Sequence, residues 1–353
     1  MNTDFNISGY HKILCPSFPE FLNKYLELPL LCRLKGIGLL CGTDWTPLFS
    51  NNFFYSRFDH SVGCALITWN FTHDKGQTVA ALLHDVSTPA FSHVGDFRKG
   101  DALTQTATEN DNAALIRNDT ALAEILAADG LCAGDVDDYH RFPICDNEIP
   151  GLSADRLEYM FPSGAALSGN WNMKEIESVY SDICICRNEE GVPELGFSSV
   201  DAASLYFTKF METALFLQTN TDKIAMQLLA ETVNKALECG QLEEAGLFTL
   251  SESEIFSRWD YFFKEKSDGT ANAAEKDFLV HYRTFRTMTA VCGSAVPLDG
   301  YFCVSLKVKK RYINPLVGKE RLCSLNKEAG DRLRTFMEFE DTPYACVRFA
   351  GLE

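Results

Sequence analysis

The stretch that decides the reading begins Arg57-Phe-Asp-His60-Ser-Val-Gly63-Cys64, continues through Val79-Ala-Ala-Leu-Leu83-His84-Asp85, and closes on Phe91-Ser-His93-Val-Gly-Asp96. His84 and Asp85 end an apolar helical run and His60 stands upstream, so the segment offers mixed imidazole and carboxylate ligands to a divalent metal. An isolated histidine is ordinarily a packed or surface residue, which is how His140 and His281 read. Here His60, His84, His93, Asp85, Asp96 and Arg57 crowd together in a chain with only seven His. That clustering favours a site.

Working outward, Phe58, Val62, Leu66 and Trp69 fall on one face of a helix from Arg57 to Phe71, while His60, Gly63, Cys64 and Ile67 fall on another. A helix apolar on both sides is a central one, and Gly63 beside His60 permits close approach by a neighbour. Thr78 to Asp85 reads as a short apolar helix stopped before Pro89. Ser153 is a good N-cap for a helix that places Asp155 and Tyr159 on one face.

Arg57-x-x-His60-Ser-x-Gly63, Leu83-His84-Asp85 and Phe91-Ser92-His93-x-x-Asp96, followed by Ala154-Asp155-Arg156-Leu157-Glu158-Tyr159, resemble the HD-domain phosphohydrolases, nearest their dNTP triphosphohydrolase branch. The resemblance covers about residues 10 to 220. It implies a mainly α fold, an HD-domain helical bundle, with a divalent ion held by His60, His84, Asp85 and Asp155. Mn, Fe, Mg, Ni and Zn all suit two imidazoles and two carboxylates. It further implies hydrolysis of a phosphate ester, that of a nucleotide, by a metal-activated water. Asp85, His93 and Asp96 would take part in catalysis, and Arg57, His93, Tyr159 and Lys209 would meet the substrate, with Lys209 replacing a family Arg. From the residues alone, the lesser alternative for Arg57 is a pair with Asp59 or an outer acid, and Tyr159 could equally be a core residue.

The pattern is broken twice. Where the family has His-Asp-x-Gly-His, this chain has His84-Asp85-Val86-Ser87-Thr88, and Thr108 precedes Glu109 where the family keeps another His. A Thr hydroxyl donates a hydrogen bond but is no acid near pH 7. The alternative to an enzyme is therefore a catalytically weakened HD protein that binds metal and nucleotide for regulation.

The chain has 353 residues and a net charge of −17. Long nucleic acid and anionic membrane, which need clustered Lys and Arg, are excluded as expected partners, whereas a small phosphorylated substrate is not. Thirteen dispersed Cys without a C-x-x-C pair read as reduced thiols of a cytoplasmic protein. No secretion signal or membrane span is evident. The resembling family assembles through helices of this domain, which implies a homodimer, the commonest closed symmetry.

Elsewhere, Pro29 divides Phe18–Leu40 into short helices. Leu103–Ile125 is helical in pattern with a break near Asn118-Asp119, and Asp129–Gly151 reads as a surface excursion. Val179–Arg187 and Pro193–Phe197 read as a small β-hairpin about Asn188–Gly191. Helices are expected at Val200–Gln218 and Asp222–Glu238, then a strand with one basic face from Phe302 to Lys309. The division is an HD-type domain over 1–240 and an appended C-terminal α+β region over 241–353, with a soft boundary. No P-loop, G-x-G-x-x-G or G-x-S-x-G is present.

Overall fold

The central element is the helix Arg57–Thr72, in which every side chain from His60 to Thr68 is buried. It starts sharply because Ser56 and Asp59 form a capping box, the Ser56 hydroxyl accepting the Asp59 N–H at 3.1 Å. Asp59 is thereby committed to the cap. His73 ends the helix in a left-handed conformation, φ +50°, and Asp74 caps the next helix, Lys75–Leu83, through the Gln77 N–H. These two helices form an antiparallel pair that aims His60 and His84 at one point. The structure is a computed structural model that describes residues 5–105, 111–266 and 269–351. Thr108 and Glu109 lie outside the described residues.

A third helix, Ala154–Leu167, crosses the first at Gly63. A Cβ at Gly63 would stand 2.4 Å from Glu158 Oε1, so only glycine admits this approach. The described residues are mainly α-helical, with two small sheets. Ile183–Arg187 pairs antiparallel with Pro193–Phe197, whose other edge takes Leu316–Val317 in parallel. The expected strand from Val179 begins only at Ile183. The Asn172–Glu175 capping box nucleates a helix that carries Val179 and Tyr180 into its last, buried turn.

Two buried clusters result. One surrounds the first helix and holds Leu66, Phe161, Trp171 and Phe210. The second holds Phe91, Leu228, Trp259, Phe278 and Phe285. The expected boundary at 240 matches no break in this packing. Ala90–Phe97 and Ile224–Ala236 join the second cluster from one side of Gly240, while Ile313, Leu322 and Phe336 return to the first. The expected Phe302–Lys309 strand is also shorter. Tyr301–Val304 pairs with Tyr344–Arg348, and Val304 opposes Ala345, next to the partner's first residue. Beyond it, Lys309 N–H bonds Ala102 O and Lys309 O accepts the Gln218 amide at 2.9 Å. This segment therefore runs along the seam between the clusters, where the cleft lies.

Candidate metal centre and substrate cleft

His60 Nε2 lies 3.2 Å from His84 Nε2 and 3.1 Å from Asp155 Oδ1. Asp85 Oδ2 lies 3.7 and 3.6 Å from the two Nε2 atoms, and His84 Nε2 lies 3.7 Å from Asp155 Oδ1. The tautomers follow from the other ring nitrogens. His84 Nδ1 faces the Ala81 carbonyl at 2.7 Å and His60 Nδ1 faces Glu158 Oε2 at 2.5 Å, and both partners only accept. In the neutral rings both Nε2 atoms therefore present lone pairs, beside two carboxylate oxygens. Four lone pairs facing one another repel unless a cation lies among them. A first-row divalent ion about 2.0–2.2 Å from each donor would set neighbouring donors roughly 3 Å apart, so the residues present fit such an ion.

Cys64 also brings a ligand atom close, within 4.8 Å of those of His60, His84 and Asp155. Its sulfur is 3.7 and 3.8 Å from the two His60 nitrogens, beside the ring rather than ahead of Nε2. Burial pushes its thiol up. Burial alone would raise Asp85 too, but Arg57, paired to it at 2.7 Å, leads the influences that outweigh burial and hold this carboxyl well below the usual range.

The supporting contacts come from residues that the sequence pattern left without a role. Glu158 is wholly buried, orients His60 and accepts the Tyr55 hydroxyl at 2.6 Å. Its signal was position, three residues after Asp155 on one helix. Arg33 donates to the Val86 and Thr88 carbonyls, bracing the turn that carries Asp85. Thr88 donates to Asp85 Oδ1 at 3.0 Å. It positions the ligand.

Comparison with known proteins bears on this arrangement. A solved phosphohydrolase of Bacteroides thetaiotaomicron superposes with a TM-score of 0.56 at 16% identity, over 94% of this chain and 97% of that one. The fold is shared with that phosphohydrolase. A hypothetical protein of Aquifex aeolicus superposes with a TM-score of 0.61 at 14% identity, over 94% and 93%. In sequence, the chain is 27% identical over 237 residues to the metal-dependent phosphohydrolase cns2 of Cordyceps militaris, covering 64% of each. It is 25% identical over 215 residues to the uncharacterized protein YdhJ of Bacillus subtilis, covering 58% of this chain and 60% of that one. The chain thus spans less than two thirds of the length of these curated relatives. No family model matches it.

From the four donors the cleft extends with about 1150 Å³ of empty space, open solvent at its mouth included. Arg57 lies on its wall, with Nη1 on Asp85 Oδ2 at 2.7 Å and Nε on Ser92 Oγ at 3.0 Å. The acid it pairs with is Asp85, not Asp59. His93 and Tyr159 also line the cleft, so Tyr159 is not confined to the core. Asp96, wholly buried, lies behind His93 and accepts its Nδ1–H at 2.9 Å. Burial, with help from Arg57 and Arg311, pushes the His93 imidazole down to about 4.

Lys209 needs correction. It does not line the cleft; its Nζ bonds the Asn170 carbonyl at 2.6 Å and Glu175 at 2.7 Å, and sits 4.4 Å from the Trp171 ring centroid. A local carboxylate and carbonyl satisfy it. A lining cation that sequence reading missed is Arg311, two residues beyond the expected Phe302–Lys309 strand. Tyr139, from the supposed surface excursion, packs edge-on to His84 with ring centroids 5.3 Å apart.

Proposed function

We propose that this chain is an HD-type metal-dependent phosphohydrolase that cleaves a phosphate ester of a nucleotide, with His60, His84, Asp85 and Asp155 as ligands. The observation that carries the reading is the convergence of two imidazole Nε2 atoms, both Nδ1–H groups already committed, with two carboxylate oxygens. The name of the Cordyceps militaris relative agrees with it. A divalent ion bound there supplies Lewis acidity toward a phosphoryl oxygen and lowers the pKa of water.

The chain's own groups position the reactants. Arg57 keeps Asp85 ionised through Nη1, and no described residue bonds its Nη2, which can take a phosphate oxygen. Asp96 fixes His93 with Nδ1–H bound behind the wall, leaving Nε2 an acceptor. With its pKa pushed down to about 4, the His93 ring is neutral near pH 7, so it orients water or accepts a proton rather than supplying one. The cleft suits a small phosphorylated substrate. No described helix is long and apolar enough to cross a membrane. A cytoplasmic homodimer is proposed with it.

Elemental analysis of the purified protein should give one divalent ion per chain, absent from His84→Ala and Asp85→Ala, with both variants folded. Phosphate release should then appear in a screen of nucleotides and aryl phosphates with added Mn, Fe, Mg, Ni or Zn. Metal at full stoichiometry in both variants would reject the ligand set. Metal binding without phosphate release would replace the hydrolase with a regulatory metal and nucleotide binder, a reading favoured by Thr88, whose hydroxyl is committed to Asp85.

A further inference from the structure

At the cleft wall are three polar residues for which neither the metal centre nor Arg57 and His93 give a use: Asp222, Gln218 and Arg311. Asp222, in the first turn of the helix Asn220–Glu238, is only 8% exposed. No hydrogen bond or ion pair from a described residue reaches its carboxylate; burial pushes it up to about 7, and Lys223 and Arg311 draw it back only in part. Buried carboxylates are normally paired, because leaving one without a donor is costly. An unpaired one facing a cleft calls for a ligand.

The neighbours narrow the chemistry. Gln218 gives its amide N–H to the Lys309 carbonyl at 2.9 Å, and its Oε1 has no bond from a described residue. Arg311 Nη2 donates to Gln105 Oε1 at 2.6 Å, and the guanidinium carbon sits 6.0 Å from the Tyr159 ring centroid. Gln105 holds φ +53°, a left-handed conformation that non-glycine residues rarely adopt, to meet Arg311. The wall thus offers free acceptors beside a fixed guanidinium, with Leu217 and Met226 lining it. Arg311 disfavours a cationic ligand, and the free oxygens disfavour a purely apolar one.

We propose that Asp222 is a specificity-determining residue which, with Gln218, accepts hydrogen bonds from N–H or O–H donors on the leaving group, while Arg311 and Tyr159 flank its ring. A nucleoside combines such donors with a flat, partly apolar body. The assignment deepens the phosphohydrolase reading and, for turnover, rests on it. The donors lie either on the sugar or on the base. Comparing ribo- with 2′-deoxyribonucleosides, and guanosine with inosine, distinguishes the two.

The test uses wild type and Asp222→Asn of the full chain in two measurements. In the first, EDTA-treated protein is titrated calorimetrically with nucleosides, which carry no phosphate. In the second, kcat/KM for each nucleoside monophosphate is divided by that for p-nitrophenyl phosphate, which has no such donors. In Asp222→Asn, both the nucleoside affinity and this ratio should fall on the order of 10- to 100-fold, the range for a hydrogen bond to a charged group. The variant should be at least as stable as wild type, since the carboxylate has no partner to lose. Affinity and ratio within twofold of wild type would overturn the proposal, as would a wild type that neither binds nucleosides nor prefers nucleotides. Asp222-dependent binding without phosphate release from any compound would overturn the hydrolase reading and leave this site standing. Phosphate release with no nucleotide preference would do the reverse.

Discussion

Glu252→Gln, followed across pH, tests how the second cluster holds the site in place. Glu252 opens the helix Glu252–Glu265, is 0% exposed, and takes N–H groups from three other segments. Gly38 N and Phe91 N donate to Oε1, each at 3.0 Å, and Trp45 Nε1 donates to Oε2 at 2.8 Å. The Gly38 carbonyl accepts the Ser92 hydroxyl, and Ser92 Oγ accepts Arg57 Nε, so the carboxylate stands close behind the cleft-lining arginine. Phe91 and Ser92 are both left-handed, φ +67° and +53°. Such strain, about 1–3 kcal/mol per residue, persists only where the surroundings fix it.

Burial, the largest influence on Glu252, outweighs the three donors, and Asp44 adds to it, raising the carboxyl from 4.5 to about 7. A folded pKa above the unfolded one means that folding favours the protonated form. The stabilisation is full below about pH 4.5 and is lost as pH rises through about 7. At about 1.36 kcal/mol per pH unit, that gap is worth on the order of 3 kcal/mol. Gln cannot ionise. Urea unfolding of both proteins between pH 4 and 8 should therefore show wild type losing about 3 kcal/mol relative to Glu252→Gln over that window. A difference that stays constant with pH would refute the reasoning.

Gly63→Ala should cost at least about 1–3 kcal/mol, because the new Cβ meets Glu158, which Tyr55 and His60 hold in place; urea midpoints measure this. The same variant should weaken metal binding about 10- to 100-fold through the lost His60 orientation, read by competition with a chelator. Thr88→Val removes one bond to Asp85 while keeping the side-chain shape, and should lower stability by about 1.5–3 kcal/mol and metal affinity with it. Unchanged metal affinity would mean that Arg57 and Arg33 alone position Asp85. Light scattering should give twice the 39.5 kDa chain mass, and 39.5 kDa at all concentrations would exclude the dimer.

The local parts of this architecture were legible because their causes are local. Gly63 announces a crossing, and the apolar run before His84 has helical period, so the alignment of His60 with His84 needs only two helices and a short turn. What could not be read depends on chain segments far apart in sequence. Glu252 reaches Gly38 across more than two hundred residues, and Arg311 reaches Gln105 across a similar distance. No periodicity encodes either. Lys209 misled for the converse reason: its resemblance to a family Arg was positional, while its charge is satisfied by Glu175 one helix away. Val179 was misplaced because alternation and helical spacing coincide over a few residues, and the Asn172 cap decided between them.

The net charge of −17 and the proposed phosphate-binding role are compatible only through the local balance at the cleft. Without a bound cation, an incoming phosphate meets Asp85 and Asp155, both held ionised, and Arg57 is already paired to the first. A divalent cation held by the four donors would neutralise both carboxylates and leave Arg57 and Arg311 to face an anion. Two unit charges 4 Å apart at an effective dielectric of about 20 interact by about 4 kcal/mol, so such a cation would decide the sign of the field. Binding of cation and of phosphate must then strengthen each other by one common factor. The positive field ends within about 8 Å at physiological salt. A long polyanion would meet the acidic surface instead, while a small phosphate ester that reaches the cleft would not.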